Sequence, residues 1–199
     1  MRLERLGYWI CGIALILVLA FTVLIANDSN YIRRLIQNTG LFACLLLSFA
    51  TVVSPLQKLL PSKIFLAQAS SLRRCLGVSA AAVSVVHLGI IFFANYISNF
   101  LVFITEPQFR NGSGALLMLL VLSLSSFQKL RKPLKITRWK SLHRLLYIAF
   151  PITMLHWVSS PGYSSLDRWI SVIIISAIIG LRFLSFGKSK LDAFTAPQG

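Results

Sequence analysis

Three histidines, His87, His143 and His156, are the residues best suited to chemistry in this 199-residue chain. They are all the histidines that it has, and each lies within or at the edge of a long apolar stretch that contains no Asp or Glu. An ionisable side chain at membrane depth is costly and usually marks a function, and neutral imidazole is a common metal ligand. The pattern therefore predicts cofactor ligation, although an intramembrane histidine can also serve only as a hydrogen-bonding contact between helices.

The spacing along the chain gives the depth of these side chains, because each helical residue rises about 1.5 Å. His87 lies 13 residues beyond Arg74, and His156 lies 13 residues beyond His143. Each of the two is therefore about 20 Å above the inner edge. Two neutral imidazoles at matching depth on neighbouring helices can hold a b-type haem iron. We predict that His87 and His156 form such a pair of ligands in the outer half of the membrane.

His143 has no histidine at its own level, because Arg73 and Arg74 occupy the matching part of the other helix. It could hold a second haem opposite water or another side chain, or contact a quinone or a flavin such as FMN. Arg74 lies where inner propionates would fall, which makes it a candidate cofactor-binding residue, with a lipid phosphate as an equal alternative. On a straight helix His143 and His156 point about 140° apart, and a kink at Pro151 could bring their faces closer.

Six apolar stretches must position these histidines. The chain is 56% hydrophobic and 13% charged, which is rare in soluble domains, and about 20 apolar residues span a bilayer as a helix. The second stretch is expected to stop at Pro55, and the first to be a retained helix rather than a signal peptide. The sequence predicts an all-α polytopic membrane helix bundle, a single domain over residues 1–199, with helices at about 8–26, 36–54, 76–96, 110–127, 142–158 and 169–186.

The basic residues predict the orientation of this bundle, because Lys and Arg concentrate in loops that stay cytoplasmic. With six spans, all but four of the 20 basic residues fall on one side, so both termini are predicted to be cytoplasmic; the four exceptions are Arg33, Arg34, Arg110 and Arg168. The net charge of +15 then lies against anionic lipid head groups. Membrane lipid, and not nucleic acid, is therefore the predicted partner of the charged surface.

The three cysteines, Cys11, Cys44 and Cys75, are scattered over three of the predicted helices. No two of them have the spacing of a metal or redox site. We expect them to be small core residues.

Two other function classes stay open on the residues alone. The protein could be a non-catalytic membrane subunit that stabilises or assembles a larger complex, with its histidines as helix contacts. A transporter is less consistent with the sequence, because transporters usually carry intramembrane carboxylates and broken half-helices.

Three stretches of the chain carry a resemblance to a known family. They begin at Asn38-Thr39-Gly40, at Leu72-Arg73-Arg74 and at Trp139-Lys140-Ser141-Leu142-His143, and the last two run on to His87 and to His156-Trp157. In these motifs the chain resembles the ferric-reductase-like transmembrane superfamily, and within it the MsrQ (YedZ) type of haem-binding membrane subunit. The order of elements matches over roughly residues 5 to 185.

The resemblance implies a b-type haem electron-transfer subunit that takes electrons from quinone or a flavin-dependent donor to an acceptor on the outer side. In the family, the positions of His87, His143 and His156 are the haem-associated histidines. In the MsrQ type the acceptor is a periplasmic molybdenum-cofactor enzyme that reduces methionine sulfoxide in proteins. The implied location is a bacterial-type inner (plasma) membrane, with a thylakoid or other energy-transducing membrane as the alternative.

Unlike the ferric reductases, this chain is expected to lack a cytosolic flavin and nicotinamide domain. We therefore expect the outer-side redox protein, and any cytosolic flavin reductase, to be separate chains. The resemblance then describes a subunit of an oxidoreductase system rather than a self-contained enzyme.

Overall fold

The computed structural model describes residues 31–59, 63–94, 105–127, 135–160 and 165–195, together with six isolated positions between 9 and 20. These ranges contain helices and turns without a strand, so the predicted all-α class is confirmed for them. The predicted first helix, 8–26, lies outside the continuous ranges. The helices are α1 (Tyr31–Leu59), α2 (Lys63–Phe93), α3 (Pro107–Leu124), α4 (Ile136–Leu142), α5 (Leu146–Ser159) and α6 (Ser165–Thr195), with a 3₁₀ helix, His143–Leu145, between α4 and α5.

Helix α1 extends beyond both of its predicted ends and passes through Pro55. The expectation that Pro55 ends this helix is therefore wrong. Proline removes one backbone hydrogen bond inside a helix, but its ring is fully buried here. The apolar contacts made by that burial offset the lost bond, so the helix continues to Leu59.

Helix α2 begins at Lys63, well before the predicted start at residue 76. The added residues, 63–75, include Ala, Leu, Arg, Gln and Lys, which favour helix, but the segment is not apolar enough to extend a hydropathy peak. Tyr31–Leu59 and Ser71–Phe93 are long and apolar enough to cross a membrane, and Phe109–Leu124 and Val172–Ser185 are shorter apolar helices. The count of six spans and their orientation stay predictions.

The predicted fifth helix, 142–158, is not continuous, because the 3₁₀ helix separates α4 from α5. Within this turn, the Nδ1 atom of His143 lies 3.2 Å from the Trp139 carbonyl oxygen. A 3₁₀ residue turns about 120° instead of 100°, so three of them reduce the angle between the directions of His143 and His156 from about 140° to roughly 80°. Pro151 lies inside α5, so the break occurs earlier in the chain than the expected kink.

The core of the bundle lies between α1, α2, α3 and α5. Helix α1 packs most extensively on α2, and α3 on α5, while α6 lies mainly against α1. Alanines let the helix backbones approach closely; the buried ones include Ala43, Ala50, Ala80, Ala81, Ala115 and Ala149. Cys44 and Cys75 are buried and form no disulfide, as expected of core residues, and Cys11 lies outside the described residues.

The outer surface of the bundle is also apolar. Large side chains such as Phe49, Phe93, Leu117 and Phe183 are exposed on it. A soluble protein seldom exposes so many large apolar groups, whereas a surface that meets lipid does.

Candidate cofactor site

A cavity opens between α1, α2, α3 and α5, and both His87 and His156 line it. Its volume, measured as the space open to water-sized groups, is about 200 Å³. The walls are mostly aliphatic and aromatic, and of the described lining residues only Arg33 carries a permanent charge. An apolar cavity with a few convergent polar groups is the usual form of a cofactor or ligand site.

The two imidazoles stand at a distance that suits a shared metal ion. Their ring centres are 6.3 Å apart and their planes are inclined by 78°. With metal–nitrogen bonds of about 2.0 Å and about 1.2 Å from nitrogen to ring centre, an ion bound in line between two imidazoles separates the ring centres by roughly 6.4 Å. The observed separation therefore matches the one expected for two imidazoles bound in line to one metal ion.

A glycine of a neighbouring helix lies against each ring. His87 on α2 packs on Gly40 of α1, where an added Cβ would lie 3.1 Å from the ring carbon Cε1. His156 on α5 packs on Gly112 of α3, where an added Cβ would lie 2.8 Å from Cε1 and 2.9 Å from Nδ1. A side chain at either glycine would press on the imidazole, so the two glycines help to set where the rings stand.

Thr39, next to Gly40 on α1, contacts the Nδ1 edge of His87. Its Oγ1 atom lies 3.1 Å from His87 Nδ1 and also reaches two carbonyl oxygens of its own helix, that of Leu35 at 2.7 Å and that of Ile36 at 3.1 Å. Thr39 is fully buried. This hydrogen bond therefore joins α1 to α2 in the core and orients the His87 ring.

The structure does not bring His143 to this cavity. Its Nε2 atom lies 3.4 Å from the Ser126 hydroxyl oxygen, and its ring centre lies 4.2 Å from that of Trp139. The 13 residues to His156 correspond to a rise of about 20 Å. A cofactor bound at His143 would therefore be a second one, separate from a cofactor held by His87 and His156.

Arg74 is half-buried towards the start of α2 and is not among the described residues that line the cavity. Its neighbour Arg73 donates a hydrogen bond from Nη1 to the Ser54 hydroxyl at 2.8 Å, which ties α2 to α1 at that level. The basic residue that does line the cavity is Arg33. Sequence reasoning gives Arg33 no role beyond the orientation of the bundle.

Sequence reasoning also gives no role to Thr39, Gly40 or Gly112. Thr39 and Gly40 stand in the first stretch that resembles the family, and this was the signal that could have marked them. Nothing in the sequence distinguishes Gly112 from Gly114, two residues later on the same helix.

Comparisons with known proteins identify the family of this chain. Residues 39–154 match the family described as ferric reductase like transmembrane component. The protein-methionine-sulfoxide reductase heme-binding subunit MsrQ of Deinococcus radiodurans is 28% identical over 155 residues, which cover 75% of this chain and 74% of that protein. This chain is therefore a membrane protein that belongs to the ferric-reductase-like transmembrane family, and within that family it is similar to subunits of the MsrQ type.

Proposed function

We propose that this protein is a haem-binding electron-transfer subunit of a membrane oxidoreductase, and that His87 and His156 hold one b-type haem between α2 and α5. The observation that carries the proposal is the 6.3 Å separation of the two imidazole centres within one apolar cavity. A bound haem supplies the one-electron chemistry. The chain itself would supply two imidazole ligands, their orientation and an apolar surrounding.

The donor set favours a metal that brings further ligands of its own. Within the described ranges no group of three or more His, Cys, Asp or Glu side chains could hold an ion, whereas protein-bound zinc, for example, usually has three or four protein ligands. Two imidazoles would leave a bare ion with too few donors. A haem iron would bring further donors of its own, so His87 and His156 would be the ligands that this chain has to supply.

The lining of the cavity supports the same choice. Leu88, Ile91, Leu116 and Leu119 give it an apolar wall suited to a flat hydrophobic macrocycle. Arg33 in the lining is a candidate partner for a propionate, because guanidinium pairs readily with carboxylate. These residues would hold the haem without taking part in its electron chemistry.

The proposed path of electrons follows the predicted orientation. Six spans with both termini inside would put His87 and His156 in the outer half of a bacterial plasma membrane. We infer that quinone or a flavin-dependent reductase is the donor and that a separate redox protein on the outer side is the acceptor. The relative's name, heme-binding subunit of a protein-methionine-sulfoxide reductase, supports an acceptor of that class.

Absorption spectra of the haem-replete protein in detergent test this proposal. We expect a Soret band in the wild type and loss of the outer haem in both His87→Ala and His156→Ala. His143→Ala is the matched control, because it removes an imidazole that lies outside the cavity and should leave this haem in place. A wild-type protein without a Soret band would refute the proposal and favour a role in stabilising or assembling a larger complex.

An inner cofactor near His143 and Arg74 is a separate proposal, with haem, FMN or quinone as the candidates. The haem-to-protein ratio tests the haem version. Two haems per chain, reduced to one in His143→Ala, would support a second haem at this level. One haem per chain in both proteins would exclude it, and extraction of FMN or quinone from the purified protein would then test the other two.

A further inference from the structure

We infer that Thr39 is a positioning residue whose hydroxyl fixes the tautomer of His87, so that Nε2 is presented to the metal as an unprotonated ligand. The inference rests on the proposed haem site. It assigns a role to a residue of α1, a helix that supplies neither of the two histidines.

The hydrogen bonds of Thr39 allow a count of protons. A threonine hydroxyl has one proton to donate and two lone pairs with which to accept. Two of the three partners of Oγ1, the carbonyl oxygens of Leu35 and Ile36, can only accept, and the 2.7 Å contact to Leu35 is a normal length for an O–H···O bond. The proton of Thr39 is therefore directed to its own helix, and Oγ1 offers a lone pair to His87.

The tautomer of His87 follows from this arrangement. Nδ1, 3.1 Å from Oγ1, has to donate a proton to form a hydrogen bond with a lone pair. A neutral imidazole carries one N–H, so Nε2 then has a free lone pair, which is the form that binds a metal. The other tautomer would bring the Nδ1 lone pair against the lone pair of Thr39 and would place a proton where the metal belongs.

The contact also affects how strongly Nε2 donates electrons to the metal. A hydroxyl that donates to a carbonyl becomes a better acceptor, because linked hydrogen bonds polarise one another. Hydrogen bonding at the ring nitrogen that does not bind the metal raises the basicity of a histidine ligand and fixes its ring orientation. Thr39 should therefore strengthen the iron–nitrogen bond and stabilise ferric over ferrous haem, which lowers the reduction potential.

The test compares Thr39→Val, which keeps the shape and removes the hydroxyl, with Thr39→Ser, which keeps the hydroxyl. Thr51→Val is the matched control. Like Thr39, Thr51 is buried on α1 and donates a hydrogen bond to the carbonyl oxygen four residues earlier, at 2.8 Å. Unlike that of Thr39, its described hydrogen bonding does not involve a histidine. Two properties of the purified holoprotein are measured, the rate of haem transfer to apomyoglobin and the midpoint potential of the haem.

We expect Thr39→Val to lose haem about 10- to 100-fold faster than the wild type, the usual effect of removing the partner of a metal-bound histidine. Its midpoint potential should rise, while Thr39→Ser and Thr51→Val should match the wild type in both measurements. If Thr39→Val fails to accumulate, the pair Thr39→Ala and Thr39→Ser gives the same comparison with and without the hydroxyl.

Three results separate the inference from the function on which it rests. A variant without the hydroxyl that retains haem and potential like the wild type would overturn the role of Thr39 and leave the haem site intact. Equal changes in Thr39→Ser and Thr39→Val would also overturn it, since shape and not the hydroxyl would then matter. A wild-type protein that binds no haem would refute the proposed function itself.

Discussion

At the scale of single residues, the candidate site depends on side chains that are small or absent as much as on the two histidines. Gly40 and Gly112 let the imidazoles lie directly on the backbones of neighbouring helices. The ring positions are therefore set by helices that carry neither ligand. This arrangement reduces the freedom of the rings before any cofactor binds, which favours binding by lowering its entropic cost.

Gly112→Ala should weaken haem binding by about tenfold or more, because the added methyl group displaces the His156 ring and misorients a ligand. Gly40→Ala should have a smaller effect, since its Cβ would lie 3.1 Å from the ring rather than 2.8 Å. The measurement is the haem-to-protein ratio after purification. Gly114→Ala is the control on the same helix, because among the described residues no atom outside its own stretch of helix lies within 4 Å of its Cβ position. Equal ratios in the Gly112 and Gly114 variants would contradict the prediction.

The sequence is sufficient to put His87 and His156 at one depth, because the rise per residue of a helix is fixed. The structure brings these two rings together, and their binding of iron stays a prediction. The sequence is not sufficient to name Thr39 or Gly112. Which side of α1 or α3 meets an imidazole depends on the rotation of each helix against its neighbour, and that is decided by packing across the whole interface.

At the scale of elements, the break between α4 and α5 is the main departure from the predicted helices. His143 and Arg144 form the polar edge of the predicted span 142–158, and polar residues at the edge of a span do not by themselves indicate a 3₁₀ turn. The contacts that accompany the break are specific ones around Trp139. Its Nε1 donates a hydrogen bond to the Ser125 carbonyl at 3.1 Å, and its own carbonyl lies 3.2 Å from His143 Nδ1. Trp139 thereby links the end of α3 to the start of the broken helix.

Trp139→Phe should lower the stability of the bundle by roughly 0.6–1 kcal/mol, the usual worth of one hydrogen bond in a folded membrane protein. The lost bond is the one from the indole to the Ser125 carbonyl. Thermal unfolding in detergent measures the change. Trp169→Phe, at a position that is 67% exposed, is the control and should unfold like the wild type. Equal stability of the two variants would show that Trp139 does not hold α3 and α4 together.

At the scale of the whole molecule, the helices combine an apolar core with an apolar outer surface, while the basic residues lie towards one side in the predicted topology. Helix α3 has 18 residues, which span about 27 Å and so nearly match the hydrocarbon thickness of about 30 Å. The predicted topology depends on whether α3 crosses the membrane. If it did not, the segments before and after α3 would lie on the same side.

Labelling of single cysteines tests the predicted orientation. In a variant without the native cysteines, Glu106→Cys and Lys135→Cys provide exposed positions before and after α3. A membrane-impermeant maleimide should label Glu106→Cys in intact cells and Lys135→Cys only after permeabilisation. The reason is that the positive charge of residues 128–141, the segment that follows α3, keeps this segment inside. Labelling of both in intact cells would mean that α3 does not cross, and the reverse pattern would invert the bundle.

The cavity takes its walls from α1, α2, α3 and α5, and this has a consequence for biogenesis. The two imidazoles and the two glycines that contact them lie on four different helices. A nascent chain therefore has no complete cavity for the proposed haem until synthesis has passed Ser160. Binding of the proposed haem would thus be a late step that depends on correct insertion of the earlier segments. The haem absorbance per protein in a purified sample would then report the fraction of molecules that have completed assembly.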